Sequence, residues 1–231
     1  MDVPYYAPSD VFLAPLVLYT WGINAFVLIC GIVVYALLLA ERAEQALAAE
    51  HLRSERLLRN ILPDTIADRL KSAPDETIAD NLSDVTFLFA DIVDFTPRAT
   101  QMAAPDLVRF LDRIFTEFDR LTAERGLTKI KTIGDAYMVA SGMPEPRSDH
   151  AAQVAELAFE MLAVCRELSV EFEETVEVRI GLHTGPAVAG VIGTQRFAYD
   201  AWGDTVNTAA RMESHGEPVK IQVTEATKNA L

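Results

Sequence analysis

The residues best suited to chemistry lie in one polar stretch near the end of the chain, residues 198–211, with the sequence AYDAWGDTVNTAAR. The dipeptide Gly203-Asp204 is typical of a turn and a helix N-cap, so we predict a helix over residues 205–214 with Asp204 as its cap. Asn207 and Arg211 are four residues apart and share one face of that helix. Asparagine is a poor helix-interior residue, so this face suits either a polar ligand or solvent.

Two further segments place acidic residues after predicted strands. Residues 85–96, VTFLFADIVDFT, form an apolar, β-rich run that delivers Asp91 and Asp94 at its end. Residues 129–140, KIKTIGDAYMVA, predict two strands joined by a tight turn at Gly134-Asp135. Taken singly, each acid is typical of a cap or a turn. Two carboxylates brought together at strand ends suit a hard divalent cation such as Mg²⁺ or Mn²⁺ that also holds a polyphosphate.

In this order, the three segments resemble the catalytic domain of the class III nucleotidyl cyclases, the adenylyl and guanylyl cyclases. The motifs that carry the resemblance are FADIVDFT, KTIGD and YDAWGDTVNTAARM, and the likeness extends from about residue 83 to the C-terminus. It implies an α/β fold of the α+β, ferredoxin-like type. Helices are predicted over residues 106–124 and 149–168. Strands are predicted near Phe87, Ile130, Val139, Val178, Val188 and Ile221.

The resemblance implies a role for each matching position around the reacting phosphate. It implies that Asp91 and Asp135, with the backbone carbonyl of Ile92, bind two Mg²⁺ or Mn²⁺ ions per active site. It also implies that Asn207 and Arg211 are catalytic, because they orient the ribose and stabilise the transition state. Cyclisation needs the ribose 3′-hydroxyl in line with the α-phosphorus, so positioning and charge neutralisation supply most of the catalysis. The four histidines are scattered, which gives no support to nucleophilic chemistry.

The resemblance further implies that Lys131 and Asp200 read the purine base, and that Phe95 and Thr96 also belong to the substrate-binding residues. Adenine presents an acceptor at N1 and a donor at its 6-amino group, which a donor-only lysine and an acceptor-only aspartate complement. Guanine reverses both groups and would leave buried mismatches. We therefore predict an adenylyl cyclase that converts ATP to 3′,5′-cyclic AMP and pyrophosphate. The alternatives are a guanylyl cyclase and a catalytically silent dimerisation or nucleotide-sensing module.

One chain carries both the metal-binding acids and the base-reading and catalytic residues. In the family these two halves face each other across a head-to-tail interface, so the resemblance implies a homodimer with two equivalent sites. Two departures from the family pattern stand out. Asp94 replaces the usual glycine, and the sequence ends at Leu231, where family domains continue into a strand pair with a phosphate-contacting lysine. The sequence therefore suggests a fragment of a longer protein.

The N-terminal part of the chain predicts a membrane anchor. Residues 11–40 contain no charged residue, and about 20 apolar residues suffice to cross a bilayer. We assign residues 1–40 to a transmembrane segment. Residues 1–10 contain no lysine or arginine, whereas arginines follow the span, which places the catalytic part in the cytoplasm at the plasma or inner membrane. These arginines are Arg42, Arg53, Arg56 and Arg59.

Residues 41–82 are predicted to form a helical linker, and residues 83–231 the catalytic domain. The first part, residues 41–62, has no Gly or Pro and reads as a helix that Pro63 ends. Its weak 4-3 stripe predicts either a marginal parallel dimer helix or a charged linker that rests on the catalytic domain. The stripe consists of Ala43, Leu47, Glu50, Ser54, Leu57 and Ile61. A net charge of −14 argues against nucleic acid as a partner.

Overall fold

A computed structural model of the chain describes residues 9–59, 61–73, 76–193 and 197–231. The first eight residues of the predicted membrane segment lie outside this description, as do Asn60, Pro74 and Asp75 in the predicted linker. The chain divides into two compact units, Met1–Leu57 and Leu58–Leu231.

The described residues of the first unit belong to one long helix, α1 (Ser9–Arg59), of 51 residues. Its length confirms that the predicted membrane helix and the first part of the linker are continuous. Within the described residues, the stretch Val17–Arg59 is long and apolar enough to cross a membrane. Along the predicted stripe, the apolar side chains of Leu47 and Leu57 are exposed.

The break after α1 differs in position from the prediction. The helix ends at Arg59, four residues before Pro63, and Pro63 instead forms the N-cap of helix α2 (Asp64–Ser72). Its carbonyl accepts hydrogen bonds from the amides of Ile66 and Ala67, at 3.0 and 2.9 Å. A proline suits this position because it has no N–H to satisfy and its φ is already helical.

The second unit is built around a mixed sheet with the order β2-β3-β1-β4-β5, in which a further strand, β6, pairs in parallel with β4. The described strands are β1 (Ala79–Ile92), β2 (Thr128–Ile133), β3 (Ala136–Ser141), β4 (Val178–Ile192), β5 (Ala198–Trp202) and β6 (Ile221–Val223). The described helices are α3 (Phe95–Gln101), α4 (Ala104–Glu124), α5 (His150–Glu171), α6 (Asp204–Ser214) and α7 (Glu225–Ala230).

Both predicted long helices are confirmed as α4 and α5, and the predicted hairpin is confirmed as β2 and β3. The strands predicted separately near Val178 and Val188 are wrong in number, because they form the single strand β4. The sequence Gly185-Pro186 suggests a turn, but the register with β1 shifts between Leu82 and Val85. This irregularity accommodates a proline that has no N–H for the ladder. The sequence analysis did not predict β5 or α3.

Alternate residues of β1 belong to two separate cores. Leu88 and Ala90 pack with α4 and α5 on one face of the sheet. Phe87 and Phe89 pack on the other face, where α2 and α6 also contribute. This alternation is that of a strand buried on both faces.

Helix α6 lies against β4 with almost no space between the two backbones. A Cβ atom added at Gly181 would lie 2.0 Å from the backbone nitrogen of Glu213 and 2.5 Å from the carbonyl carbon of Met212. Only glycine permits this approach. The contact sets the position of α6, which carries Asn207 and Arg211.

Candidate active site

Two of the predicted metal-binding residues come together at one end of the sheet. Asp91 is the penultimate residue of β1, and Asp135 lies in the turn between β2 and β3. Because β1 and β3 are antiparallel and pair Asp91 with Ala136, Asp91 lies beside that turn. Gly134 adopts a φ of 63°, which favours glycine and gives the turn its shape.

The two carboxylates, Asp91 and Asp135, repel each other electrostatically. Burial raises the pKa of Asp135, and the negative charge of Asp91 raises it further, while Arg179 opposes the shift. Among the described residues, no three acidic, histidine or cysteine side chains form a complete metal cluster. Two carboxylates and the carbonyl of Ile92 nevertheless fit Mg²⁺ or Mn²⁺, since such ions usually keep water and substrate phosphates as their other ligands.

The sequence analysis missed two residues near this acid pair: Arg179, which contacts Asp91, and Glu213, which contacts Arg179. Arg179 of β4 lies opposite Asp91 in the register, and its Nη2 donates to Asp91 Oδ2 at 2.7 Å. Its Nε donates to Oε1 of Glu213 at 3.3 Å. Burial raises the pKa of Glu213, and the charges of Asp91 and Asp135 add to the effect. The sequence does contain a hint of a functional role for Arg179, because it is the one charged residue in the otherwise apolar strand sequence VRIGL.

The predicted base-reading residues also come together. Lys131 Nζ donates to Asp200 Oδ2 at 2.5 Å, and the backbone amide of Ala201 donates to Asp200 Oδ1 at 2.9 Å. The lysine side chain is 42% exposed and the aspartate side chain 18%. The pair therefore presents a donor and an acceptor side by side at a surface that a ligand can reach.

Asn207 and Arg211 lie on α6 as predicted, and both are exposed. The N-cap is Gly203, with a φ of 133°, so the prediction that Asp204 caps the helix is wrong. Asp204 lies in the first turn, where its Oδ1 accepts a hydrogen bond from Arg211 Nη2 at 3.2 Å. A glycine suits this cap because its φ is accessible only without a Cβ.

Among the described residues, Asn207 and Arg211 are separate from the proposed metal-binding acids of their own chain. Among the contacts of the described residues, none links either side chain to Asp91 or Asp135. Glu213, two residues after Arg211, points back to Arg179. Two residues correspond to about 200° of helix rotation, so these neighbours lie on nearly opposite faces.

Phe95 and Thr96, the remaining predicted substrate-binding residues, begin α3. Phe95 is partly buried and packs against the core under α4, whereas Thr96 is exposed. Asp94 precedes them in the left-handed conformation, with φ 54° and ψ 29°. This backbone conformation explains why a glycine suits the position that Asp94 occupies.

The fold agrees with the comparisons with known proteins. The family model described as "Adenylate and Guanylate cyclase catalytic domain" matches residues 78–231. The chain therefore belongs to the adenylate and guanylate cyclase family.

Among its relatives is an adenylate cyclase of Mycobacterium tuberculosis, 47% identical over 236 aligned residues. The alignment covers 98% of this chain and 52% of the relative, so the chain spans about half the length of this relative and of two similar curated ones.

Solved structures of cyclase catalytic domains share the fold. The catalytic core of a rhodopsin-guanylyl cyclase with converted specificity, in complex with ATPalphaS, is 35% identical, has a TM-score of 0.63, and aligns over 66% of this chain and 83% of that one. The guanylate cyclase domain of RhGC from Catenaria anguillulae, in complex with GTP, is 33% identical with a TM-score of 0.63, over 65% and 83% of the two chains. These neighbours confirm the predicted fold class. They include complexes with both purines, so the fold by itself does not select the base.

Proposed function

We propose that the chain is an adenylyl cyclase that converts ATP to 3′,5′-cyclic AMP and pyrophosphate. The observation that carries the proposal is the contact between Lys131 and Asp200. An ammonium can only donate and a carboxylate can only accept, so the pair complements N1 and the 6-amino group of adenine and mismatches both groups of guanine. The 47% identity to a mycobacterial adenylate cyclase supports the same base.

The proposed mechanism relies on positioning and on charge. Asp91, Asp135 and the Ile92 carbonyl would hold two Mg²⁺ or Mn²⁺ ions, which supply charge neutralisation on the triphosphate and lower the pKa of the 3′-hydroxyl. Asn207 orients the ribose so that its 3′-oxygen lies in line with the α-phosphorus. The guanidinium of Arg211 meets the charge that develops on the phosphoryl oxygens as pyrophosphate leaves.

We further propose that the active form is a homodimer with two equivalent sites. Asn207 and Arg211 are exposed on α6, on the side away from Glu213 and the acids of their own chain. A second copy arranged head to tail offers its Asp91 and Asp135 to this exposed face. Phe95 and Thr96 remain proposed substrate-binding residues at the same end of the sheet.

The proposed organisation has a membrane segment over residues 1–40, a helical linker over residues 41–82 and a catalytic domain over residues 83–231. The apolar helix Val17–Arg59 supports a membrane location. The arginines after the span support a cytoplasmic catalytic domain at the plasma or inner membrane. Recovery of the expressed chain in the membrane fraction, resistant to alkaline washing, tests this location, and recovery in the soluble fraction contradicts it.

Turnover by the purified full chain in detergent tests the activity. We expect cyclic AMP and pyrophosphate in equal amounts from ATP with Mn²⁺, and much less cyclic GMP from GTP. Asp135→Ala should abolish turnover, whereas Asp112→Ala, an exposed acid on α4, should not. Greater turnover of GTP would favour the guanylyl cyclase alternative. Absence of any cyclic product from the wild-type chain would favour the silent module.

A further inference from the structure

The metal-binding end of the sheet already contains a cation. Arg179 and Asp91 are directly opposed on β4 and β1, and the guanidinium Nη2 lies 2.7 Å from Asp91 Oδ2. The side chains are only 30% and 19% exposed, respectively. Asp91 Oδ2, an oxygen that could bind a divalent cation, therefore accepts a hydrogen bond from Arg179 instead.

Arg179 is also attached to a second acid through a different nitrogen. Its Nε lies 3.3 Å from Oε1 of Glu213, whose side chain is 12% exposed. The close approach of α6 to Gly181 places the backbone of Glu213 directly on β4, two residues along the strand from Arg179. The guanidinium can therefore lose one carboxylate and remain attached to the other.

The balance of charge favours such an exchange. Among the described residues, Arg179 donates to both Asp91 and Glu213, and Asp135 lies in the turn beside Asp91. Three carboxylates therefore lie near this one guanidinium. One positive charge does not neutralise three buried or half-buried acids, so a divalent cation entering this end of the sheet gains attraction from all of them.

We propose that Arg179 is a placeholder for the divalent cation at Asp91: its guanidinium leaves Asp91 when the cation binds, and Glu213 retains it. Arg179 and Glu213 are positioning residues in this exchange. The inference rests on the proposed function only for the identity of the cation, Mg²⁺ or Mn²⁺. A permanent structural ion pair is the competing description, and it requires the 2.7 Å contact to persist after the cation binds.

Binding of Mn²⁺ alone, without nucleotide, provides the first test. Free Mn²⁺ is measured by electron paramagnetic resonance in titrations of the full chain in detergent. Because Arg179→Gln removes the competitor for Asp91, we expect about two- to fivefold tighter binding. Glu213→Gln should weaken binding by a similar factor, since Arg179 is then left to Asp91 alone. Unchanged or weaker binding in Arg179→Gln overturns the proposal.

A matched control separates displacement from a general loss of positive charge. Arg98 lies on α3, shortly after Asp91 in the chain, but its guanidinium binds Glu174 and the carbonyl of Thr175. Arg98→Gln should therefore leave Mn²⁺ affinity within about twofold of wild type. If Arg98→Gln and Arg179→Gln increase Mn²⁺ affinity equally, the cause is the general loss of positive charge, and the proposed displacement of Arg179 from Asp91 is contradicted.

A structure of the wild-type chain with Mn²⁺ provides the second test, which does not depend on any variant folding. We expect the distance from Arg179 Nη2 to Asp91 Oδ2 to exceed 3.5 Å, beyond hydrogen-bonding reach, while Nε stays near Glu213. Mn²⁺ bound to Asp91 with the original contact intact overturns the proposal. Both tests are independent of turnover: a chain that makes no cyclic AMP yet shows the exchange contradicts the proposed function and supports this inference.

Discussion

Lys131 Nζ and Asp200 Oδ2 are 2.5 Å apart, although they belong to β2 and β5, the strands at opposite ends of the sheet order. The sheet is therefore twisted enough for its two ends to meet through side chains. In the proposed site, a purine base would meet a donor and an acceptor that are already held in place, so little ordering of the protein would accompany its binding.

We expect Lys131→Ala to lower kcat/KM for ATP by about 10- to 100-fold, because a hydrogen bond to a charged group is lost and Asp200 is left without its partner. The preference for ATP over GTP should fall as well. Steady-state kinetics with both nucleotides measure this effect. Lys129→Ala is the matched control, since Lys129 lies on the same strand but pairs with Asp119. Equal losses in the two variants would show that the effect is structural.

The proposed shared site predicts complementation between two inactive chains. Asp91→Ala and Arg211→Ala should each abolish turnover alone, and co-purified mixtures should regain up to about one quarter of wild-type activity, because half of the randomly formed dimers have one intact site. The control mixture combines Asp91→Ala with Asp135→Ala, which damage the same half and should restore nothing. Cyclic AMP production by the unselected mixture measures the outcome, and no recovery in the first mixture contradicts a shared site.

Because the backbone at Asp94 is left-handed, we expect glycine to be tolerated better than valine at this exposed position. Asp94→Gly should change the free energy of unfolding by less than about 0.5 kcal/mol, since the relieved strain is offset by greater freedom of the unfolded chain. Asp94→Val should destabilise the fold by about 1–2 kcal/mol, because a β-branched side chain opposes a positive φ.

Thermal unfolding of the full chain in detergent measures the effect at Asp94. Thr96→Val introduces the same side chain at an exposed helical position nearby and should have a much smaller effect. Equal destabilisation by the two valines would show that backbone strain at Asp94 is not the cause.

The raised pKa of Glu213 predicts a pH-dependent stability in the absence of divalent cations. A carboxyl whose pKa is higher in the folded state binds more protons when folded, so its contribution is present at low pH and is lost as pH rises through the folded pKa. Glu213→Gln does not titrate. We therefore expect the melting temperature of the variant, relative to wild type, to increase from about pH 5 to about pH 8.

Thermal unfolding across this pH range with a chelator measures that difference. Glu167→Gln, at an exposed position on α5, should give a difference that does not change with pH. A melting-temperature difference for Glu213→Gln that is flat or decreases with pH contradicts the assigned direction of the pKa shift.

Much of the fold followed from local patterns, and the exceptions have physical causes. The hairpin and the helices α4 and α5 were predictable because turn residues and apolar spacing act over a few positions. The continuity of β4 was not, because Gly185-Pro186 looks like a turn unless the irregular pairing with β1 is known. The position of Asp204 within α6 was likewise missed, because Gly203 competes for the cap.

Local sequence patterns predicted less of the candidate site than of the fold. Arg179 and Asp91 are 88 residues apart, and Lys131 and Asp200 are 69 residues apart. Only the arrangement of strands that are distant in sequence brings such residues together, and local periodicity carries no information about that arrangement. The pairing of Lys131 with Asp200 was anticipated through family resemblance, whereas Arg179 and Glu213 emerged only from the structure.

The absence of a side chain at Gly181 leaves α6 no freedom to slide or tilt toward β4. The contact therefore fixes the backbone of α6, which carries Asn207 and Arg211, close against β4. A signal that changes the distance of Asn207 and Arg211 from a bound nucleotide would have to move α6 and β4 together. Even the Cβ of an alanine at position 181 would clash with the backbone of Glu213 and displace α6. Gly181 is therefore as important for the proposed site as the charged residues are.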